Sequence, residues 1–233
     1  MCGDYGDPAA GKHTLEIYNH FRSLNPNITL GMNTNGGLRT TDWWCELSKI
    51  MSGEKDYVVF SIDGLEDTNH IYRVNVNWNK VIENAQAFIS AGGSAHWEML
   101  VFEHNEHQVD QCQQLAKDLG FSWFRAKVSR RFDFIPITVD FLHPPKGWQD
   151  PHVTEGSIKC QALEENSLYI SAQGKLFPCC YLGVTNETLD KFDNVQKSWG
   201  TDTPNYICKD TCTSNNNTKN SFTNQWQREV SLR

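Results

Sequence analysis

The sequence predicts an α/β fold, with a parallel sheet first and a small cysteine-bearing unit behind it. Two observations carry this. From Leu15 to about Lys127, stretches with helical spacing alternate with short strand-like runs, the pattern of consecutive βα units. Beyond Ile135 that period disappears, and four cysteines stand in two separated pairs around a predicted hairpin.

Element by element, Ile17, Phe21 and Leu24 form one apolar helical stripe, ended by Asn25-Pro26. Ile28–Asn33 reads as a strand entering the turn Thr34-Asn35-Gly36-Gly37. A helix from about Asp42 follows, its apolar face Trp43, Trp44, Leu47, Ile50 and Met51. Tyr57–Ile62 is a nearly continuous apolar run, as expected of a parallel strand covered on both faces. Val81, Ile82, Ala85, Phe88 and Ile89 make an amphipathic helix stopped by Gly92-Gly93, and His96–Phe102 is the next strand. Val109, Cys112, Ala116 and Leu119 form a helical stripe closed by Gly120, before a strand over Phe121–Lys127. Such units make a parallel sheet, open or closed into a barrel. The expected domains are 1–134 for the sheet, 135–157 for a proline-marked linker, 158–213 for the cysteine segment and 214–233 for a polar tail.

Composition narrows the function classes. The 233 residues carry a formal net charge of −7, which argues against a nucleic-acid or acidic-membrane partner. Hydrophobic residues make up 39% and aromatics 12%, the balance of a globular chain. No run approaches the roughly 18 apolar residues of a membrane span, and no basic-then-apolar segment opens the chain. A cytoplasmic setting is expected. Eight cysteines concentrated toward one end of a chain this long fit reduced ligands better than a disulfide framework.

The C-terminal pattern is Cys160-x13-Gly174-x4-Cys179, then Cys208-x3-Cys212. Gly174 marks the tip of a hairpin of Ser167–Ser171 and Lys175–Pro178, which folds Cys179 back toward Cys160. Four thiolates gathered from two pairs suit an iron–sulfur cluster or a tetrahedral zinc. Cys180, beside Cys179, is a substitute ligand. Cys112 lies on an apolar stripe and reads as core, and the Trp43-Trp44 pair likewise. The histidines are scattered, without the spacing of a zinc protease.

In parallel α/β folds ligands bind at the C-terminal ends of strands. Those ends here carry Asn33-Thr34-Asn35-Gly36-Gly37, Ser61-Ile62-Asp63-Gly64, and Glu103, His104 and Asn105. Each residue alone is also an ordinary turn or cap residue; their recurrence on consecutive strand ends points to a site.

These motifs resemble the radical SAM superfamily. Thr34-Asn35-Gly36, Ser61-Ile62-Asp63-Gly64 and His70-x-x-Arg73 look like the middle of its barrel, and Tyr5-Gly6-Asp7-Pro8 is similar to its Gly-Gly-Glu-Pro motif. The cysteine pattern resembles the auxiliary-cluster extension called SPASM or, in its shorter form, twitch. The resemblance implies a partial (β/α)6 barrel with a cysteine-rich hairpin and helix unit behind it. It implies an enzyme that cleaves S-adenosylmethionine and uses the 5′-deoxyadenosyl radical on a small-molecule or peptide substrate, with a reducing electron donor. Gly6 and Asp7 would face the methionine moiety, Asn33 and Asn35 the strand-end pocket, and Ser61, Asp63 and Arg73 the ribose or carboxylate. Cys160, Cys179, Cys208 and Cys212 would hold one [4Fe–4S] cluster.

One family motif is missing. The Cys-x3-Cys-x2-Cys of the reducing cluster is absent, Cys2 being the only cysteine before Cys45. The chain reads as truncated at its N-terminus, with an exposed sheet edge. A second cluster then requires that segment, from a longer chain or a partner chain, and the chain alone is expected to be inactive. The alternative is a non-catalytic iron–sulfur or zinc module for binding or electron transfer.

Overall fold

The computed structural model describes residues 1–2, 6–129, 132, 142–147, 156–214 and 228–233. Tyr5, most of the expected linker and residues 215–227 of the expected tail lie outside the described residues. The chain forms two compact units, one from residues up to Phe132 with 142–147 and 228–233, the other from 156–214.

The sheet unit runs α1 (Thr14–Leu24), β1 (Gly31–Thr34), α2 (Thr41–Ile50), β2 (Tyr57–Ser61), α3 (Asn69–Tyr72), α4 (Trp78–Ser90), β3 (Ala95–Val101), α5 (Val109–Asp118) and β4 (Trp123–Val128). Strands β1 to β4 pair in sequence order, all parallel. The first strand begins later than its apolar residues suggest. Arg22 takes the carbonyls of Pro26 and Ile28 (2.8 and 2.6 Å) and Asp56 takes the N–H of Leu30 (2.8 Å), so these groups are unavailable to the ladder.

Burial alternates along the strands, save at the end of β4, where Lys127 and Val128 are both half-buried. Met32, Val58, Phe60, Trp97, Met99, Phe124 and Ala126 are fully buried on one face. Asn33, Val59, Ser61, His96, Glu98 and Lys127, on the other, are half-buried or exposed. The expectation that β2 is covered on both faces is therefore corrected: its pattern is that of one buried face. Trp44, Phe60, Phe88, Trp97 and Phe121 interlock beneath the sheet, with Trp44–Phe60 and Trp97–Phe121 ring centroids 5.2 and 5.4 Å apart. Helix α4 ends as its glycines predict. Gly92 takes a left-handed φ of 98° and the Gly93 N–H returns to Phe88 O (3.0 Å).

Helix α1 presents a different face from the expected one. Thr14 and Tyr18, one turn apart, are buried, while Ile17, Phe21 and Leu24 are exposed. Polar anchors decide this: Thr14 Oγ1 donates to Pro8 O (2.6 Å), Tyr18 OH to Gly31 O (2.9 Å), and Arg22 pairs with buried Asp56. The expected tail is corrected as well. Arg228–Ser231 forms β9, antiparallel to β4, with Leu232 N–H on Ser122 O (3.0 Å) and Arg228 on Asp110 (2.6 Å). Its mixed charged sequence hides a strand held by backbone pairing and an ion pair. At the other end of the sheet, the backbone of Met1 engages β1, its carbonyl accepting from Asn33 N–H (2.9 Å).

The cysteine unit is built from two small ladders and three short helices. β5 (Ser157–Ile158) pairs antiparallel with β8 (Thr213–Ser214), and β6 (Tyr169–Ile170) with β7 (Leu176–Phe177). The second pair is a hairpin closed by Ser171 N–H on Lys175 O (2.9 Å) and turned at Gly174. Helices α6 (Gln161–Glu164), α7 (Phe192–Ser198) and α8 (Tyr206–Cys212) complete it.

Candidate functional sites

The C-terminal ends of β1, β2 and β3 are locked by buried side chains. Asp7 caps the short helical turn Pro8–Ala10, accepting from Ala9 N–H (2.9 Å). The same carboxylate accepts from Thr34 Oγ1 (2.9 Å) and Asn35 N–H (2.7 Å), which fastens the opening loop to the end of β1. Asn35 Oδ1 turns inward to Gly37 N–H (2.9 Å). Gly6 is exposed, with open space where a side chain would project. Asn33 is exposed on the open face of the sheet, and Ser61 is half-buried on that same face.

After β2, Asp63 is fully buried. It accepts from Arg73 Nε (2.5 Å) and Leu100 N–H (2.6 Å). Burial pushes its carboxyl above the usual range, while the Arg73 guanidinium and the Leu100 N–H pull the other way. Arg73 also lies over the Tyr72 ring (5.2 Å). Its two terminal nitrogens make no hydrogen bond among the described residues, so a guanidinium fixed at one nitrogen retains donors for an acceptor. Gly64 has a φ of 133°, and a Cβ there would collide with the Thr68 hydroxyl.

Residues with no chemical signature of their own complete the lock. Asn69 Oδ1 accepts from Asp63 N–H (2.8 Å), and Asn105 Nδ2 donates to the carbonyls of Asp63 (2.8 Å) and Leu100 (2.9 Å). Gln108 Oε1 accepts from Thr68 Oγ1 (2.5 Å) and Leu65 N–H (3.0 Å). The only sequence signal for them was their clustering just past strand ends. Glu103 is exposed, and His104 stacks on Phe102 (5.3 Å) with both ring nitrogens buried and unbonded. Burial, then His107 and His70, holds its imidazole below the ordinary value. The open sheet face also carries Glu98, paired with Lys127 (2.6 Å) and 3.8 Å from Arg125, a charged group the sequence reading did not single out.

In the cysteine unit, Cys160 and Cys179 are half-buried and Cys208 is buried, and all three thiols are free. They pack into one apolar cluster with Leu182, Phe192, Val195, Ile158, Trp199 and Ile207. Cys212 follows Cys208 by four positions on α8, and so lies on the same helix face. The thiols lie close enough to influence one another: burial pushes Cys208 up to about 11, Cys212, Cys179 and Cys160 add to that, and only the Trp199 side chain opposes it. Burial raises Cys179 as well, with Cys160 a smaller contribution. Cys180 is half-buried.

Among the described residues no three donor side chains converge on a point that could hold a single metal ion. The chemistry of the set nonetheless fits a thiolate-ligated group. A buried Trp199 Nε1 that makes no well-formed hydrogen bond among the described residues stands in the same cluster, and leaving such a donor unmet costs about 1–3 kcal/mol. No helix among the described residues is long and apolar enough to cross a membrane.

No family profile and no curated protein matches this chain. Solved structures match it in shape. Streptococcus suis SuiB bound to precursor peptide SuiA superposes with a TM-score of 0.57 at 15% identity, over 84% of this chain and 53% of that one. SuiB bound to S-adenosylmethionine gives 0.53 at 17% identity, over 78% and 49%. The chain spans about half the length of those structures, and the likeness is one of fold.

Proposed function

We propose that this chain is a radical SAM enzyme, or the larger part of one, built as a partial (β/α)6 barrel with a twitch-type auxiliary cluster unit. The observation that carries the reading is the buried Asp63–Arg73 pair at the end of β2, on a fold shared with SuiB. The structural neighbours are radical SAM enzymes, and SuiB takes S-adenosylmethionine and a precursor peptide. By extension, a peptide substrate is the first choice here.

S-adenosylmethionine, when bound to a reduced cluster, supplies a 5′-deoxyadenosyl radical that abstracts hydrogen from substrate. The chain's own residues hold and orient. Asp63 fixes Arg73 through Nε, and the terminal guanidinium nitrogens offer charge-assisted hydrogen bonds to a carboxylate or ribose oxygen. Asp7 is saturated by Ala9, Thr34 and Asn35. Its role is thus to shape the loop, whose Gly6 leaves room for close backbone approach to the methionine moiety. Asn33 and Ser61 supply polar contacts on the open face, and Asn35 holds the turn beside it.

Cys160, Cys179, Cys208 and Cys212 are the ligands proposed for one [4Fe–4S] cluster, with Cys180 the substitute for Cys179. Zinc is the competing occupant; it requires all four sulfurs about 2.3 Å from one point. The missing Cys-x3-Cys-x2-Cys favours a second reading, a non-catalytic module that keeps the auxiliary cluster. Anaerobic purification with iron and sulfide analysis, followed by S-adenosylmethionine cleavage assays with and without a supplied cluster-loop segment, separates these. The enzyme reading expects iron and sulfide in the chain, and cleavage only with the segment present. Zinc without sulfide sinks the cluster assignment, and iron and sulfide without cleavage in either condition leaves the electron-transfer module.

A further inference from the structure

The indole of Trp199 points to a function for a residue outside the ligand set. We infer that Trp199 Nε1 donates a hydrogen bond to the sulfur of Cys208 when that sulfur ligates the auxiliary cluster, and so sets the cluster's reduction potential. The inference rests on the cluster reading of the four cysteines.

Three observations converge. Trp199 Nε1 is buried and makes no well-formed hydrogen bond among the described residues, although an indole N–H is a donor that buried tryptophans ordinarily satisfy. The ring is seated among Cys160, Cys179 and Cys208 and is braced edge-on by Phe192, with centroids 6.1 Å apart. Cys208, buried in the same cluster, is the thiol with which the Trp199 side chain interacts. A neutral thiol is a weak acceptor, whereas a ligating thiolate is a strong one.

The surrounding structure fixes the approach. Ser198, the neighbour of Trp199, accepts Asn205 N–H on its Oγ (2.9 Å). Asn205 in turn caps α8, accepting Cys208 N–H on its Oδ1 (3.2 Å). The end of α7 and the start of α8 are thereby tied together, with the indole on one and the thiol on the other. Asn205 already uses the Cys208 backbone N–H, so the indole is a separate donor, available to the sulfur. Hydrogen bonds to ligating sulfurs stabilise the reduced, more negative cluster and raise its potential.

The test uses the full chain, anaerobically reconstituted with iron and sulfide, as wild type and as Trp199→Phe, which retains an aromatic ring against Phe192. Iron and sulfide content and an EPR-monitored redox titration are read from both. The expected result is equal cluster content and a midpoint potential shifted negative in the variant. Equal content with an unchanged midpoint overturns the inference and leaves the cluster reading intact; a wild type that takes up no iron and sulfide overturns both. Should the variant fail to hold a cluster, the wild type labelled with indole-15N tryptophan decides. A 15N hyperfine coupling to the reduced cluster supports the bond, and its absence overturns it.

Discussion

The two units differ in how their candidate sites treat buried polar groups, with His104 an unbonded exception at the strand ends. At the strand ends of the sheet unit, Asp7, Asp63, Asn69, Asn105 and Gln108 have their acceptors and donors met from within the chain. In the cysteine unit, Cys160, Cys179 and Cys208 pack into one apolar cluster beside a buried indole N–H that makes no well-formed hydrogen bond among the described residues. The first unit is pre-organised before any ligand arrives, over a core that includes Trp44, Phe60, Phe88, Trp97, Phe121 and Phe124. The second has Leu182, Phe192, Val195 and Cys208 as its buried centre, too little to hold two-residue ladders on its own. On the proposed reading, the difference teaches where binding energy would go: at the strand ends into affinity, among the thiols into folding.

The largest effect expected from this contrast is selective unfolding. On the proposed cluster reading, chelation of a reconstituted cluster, or Cys208→Ala with Cys212→Ala, makes residues 156–214 rapidly cleaved in limited proteolysis while the sheet unit stays protected. Equal protection of both units after metal loss would show that the cysteine unit folds without it.

Next in size is the buried ion pair. Asp63→Ala leaves the Arg73 guanidinium uncompensated and the Leu100 N–H unmet, and costs about 3–5 kcal/mol in denaturant unfolding. A loss under about 1 kcal/mol, the worth of a surface pair, would mean the pair is not holding the strand ends.

The smallest effect is a pH dependence. Burial first, then Arg233, holds His96 below its ordinary value, with Tyr57 stacked against its ring at 5.0 Å. The folded chain disfavours the protonated imidazole of His96, which the unfolded chain takes up near pH 6.5. Its contribution is therefore full above that pH and is lost as pH falls from there through the lower folded-state value. His96→Gln flattens the decline in urea midpoint between pH 7 and 5; an unchanged slope would remove His96 as its source.

Most elements were legible because period and punctuation agree: Gly92-Gly93 and Gly120 end α4 and α5, and Trp44, Phe88 and Cys112 lie where helical spacing puts them. The face of α1 was not, because Thr14, Tyr18 and Arg22 bury it through hydrogen bonds that an apolar count ignores. Strand β9 was missed because its partner is over a hundred residues away, and no local pattern records that pairing. Strand-end chemistry could be located from Asn, Asp and Gly clusters. The division of labour there, Asp7 shaping a loop and Asp63 holding Arg73, depends on geometry that spacing does not contain. Trp199 carried no sequence signal, since tryptophan reads as core.

The most direct test of the account is equilibrium binding of S-adenosylmethionine to the chain supplied with a cluster-loop segment, compared between wild type and Arg73→Ala. Saturable binding by the wild type, weakened tenfold or more in the variant at unchanged iron content, is the predicted result. No binding by the wild type with its clusters loaded would contradict the account and leave a fold that no longer takes the cofactor.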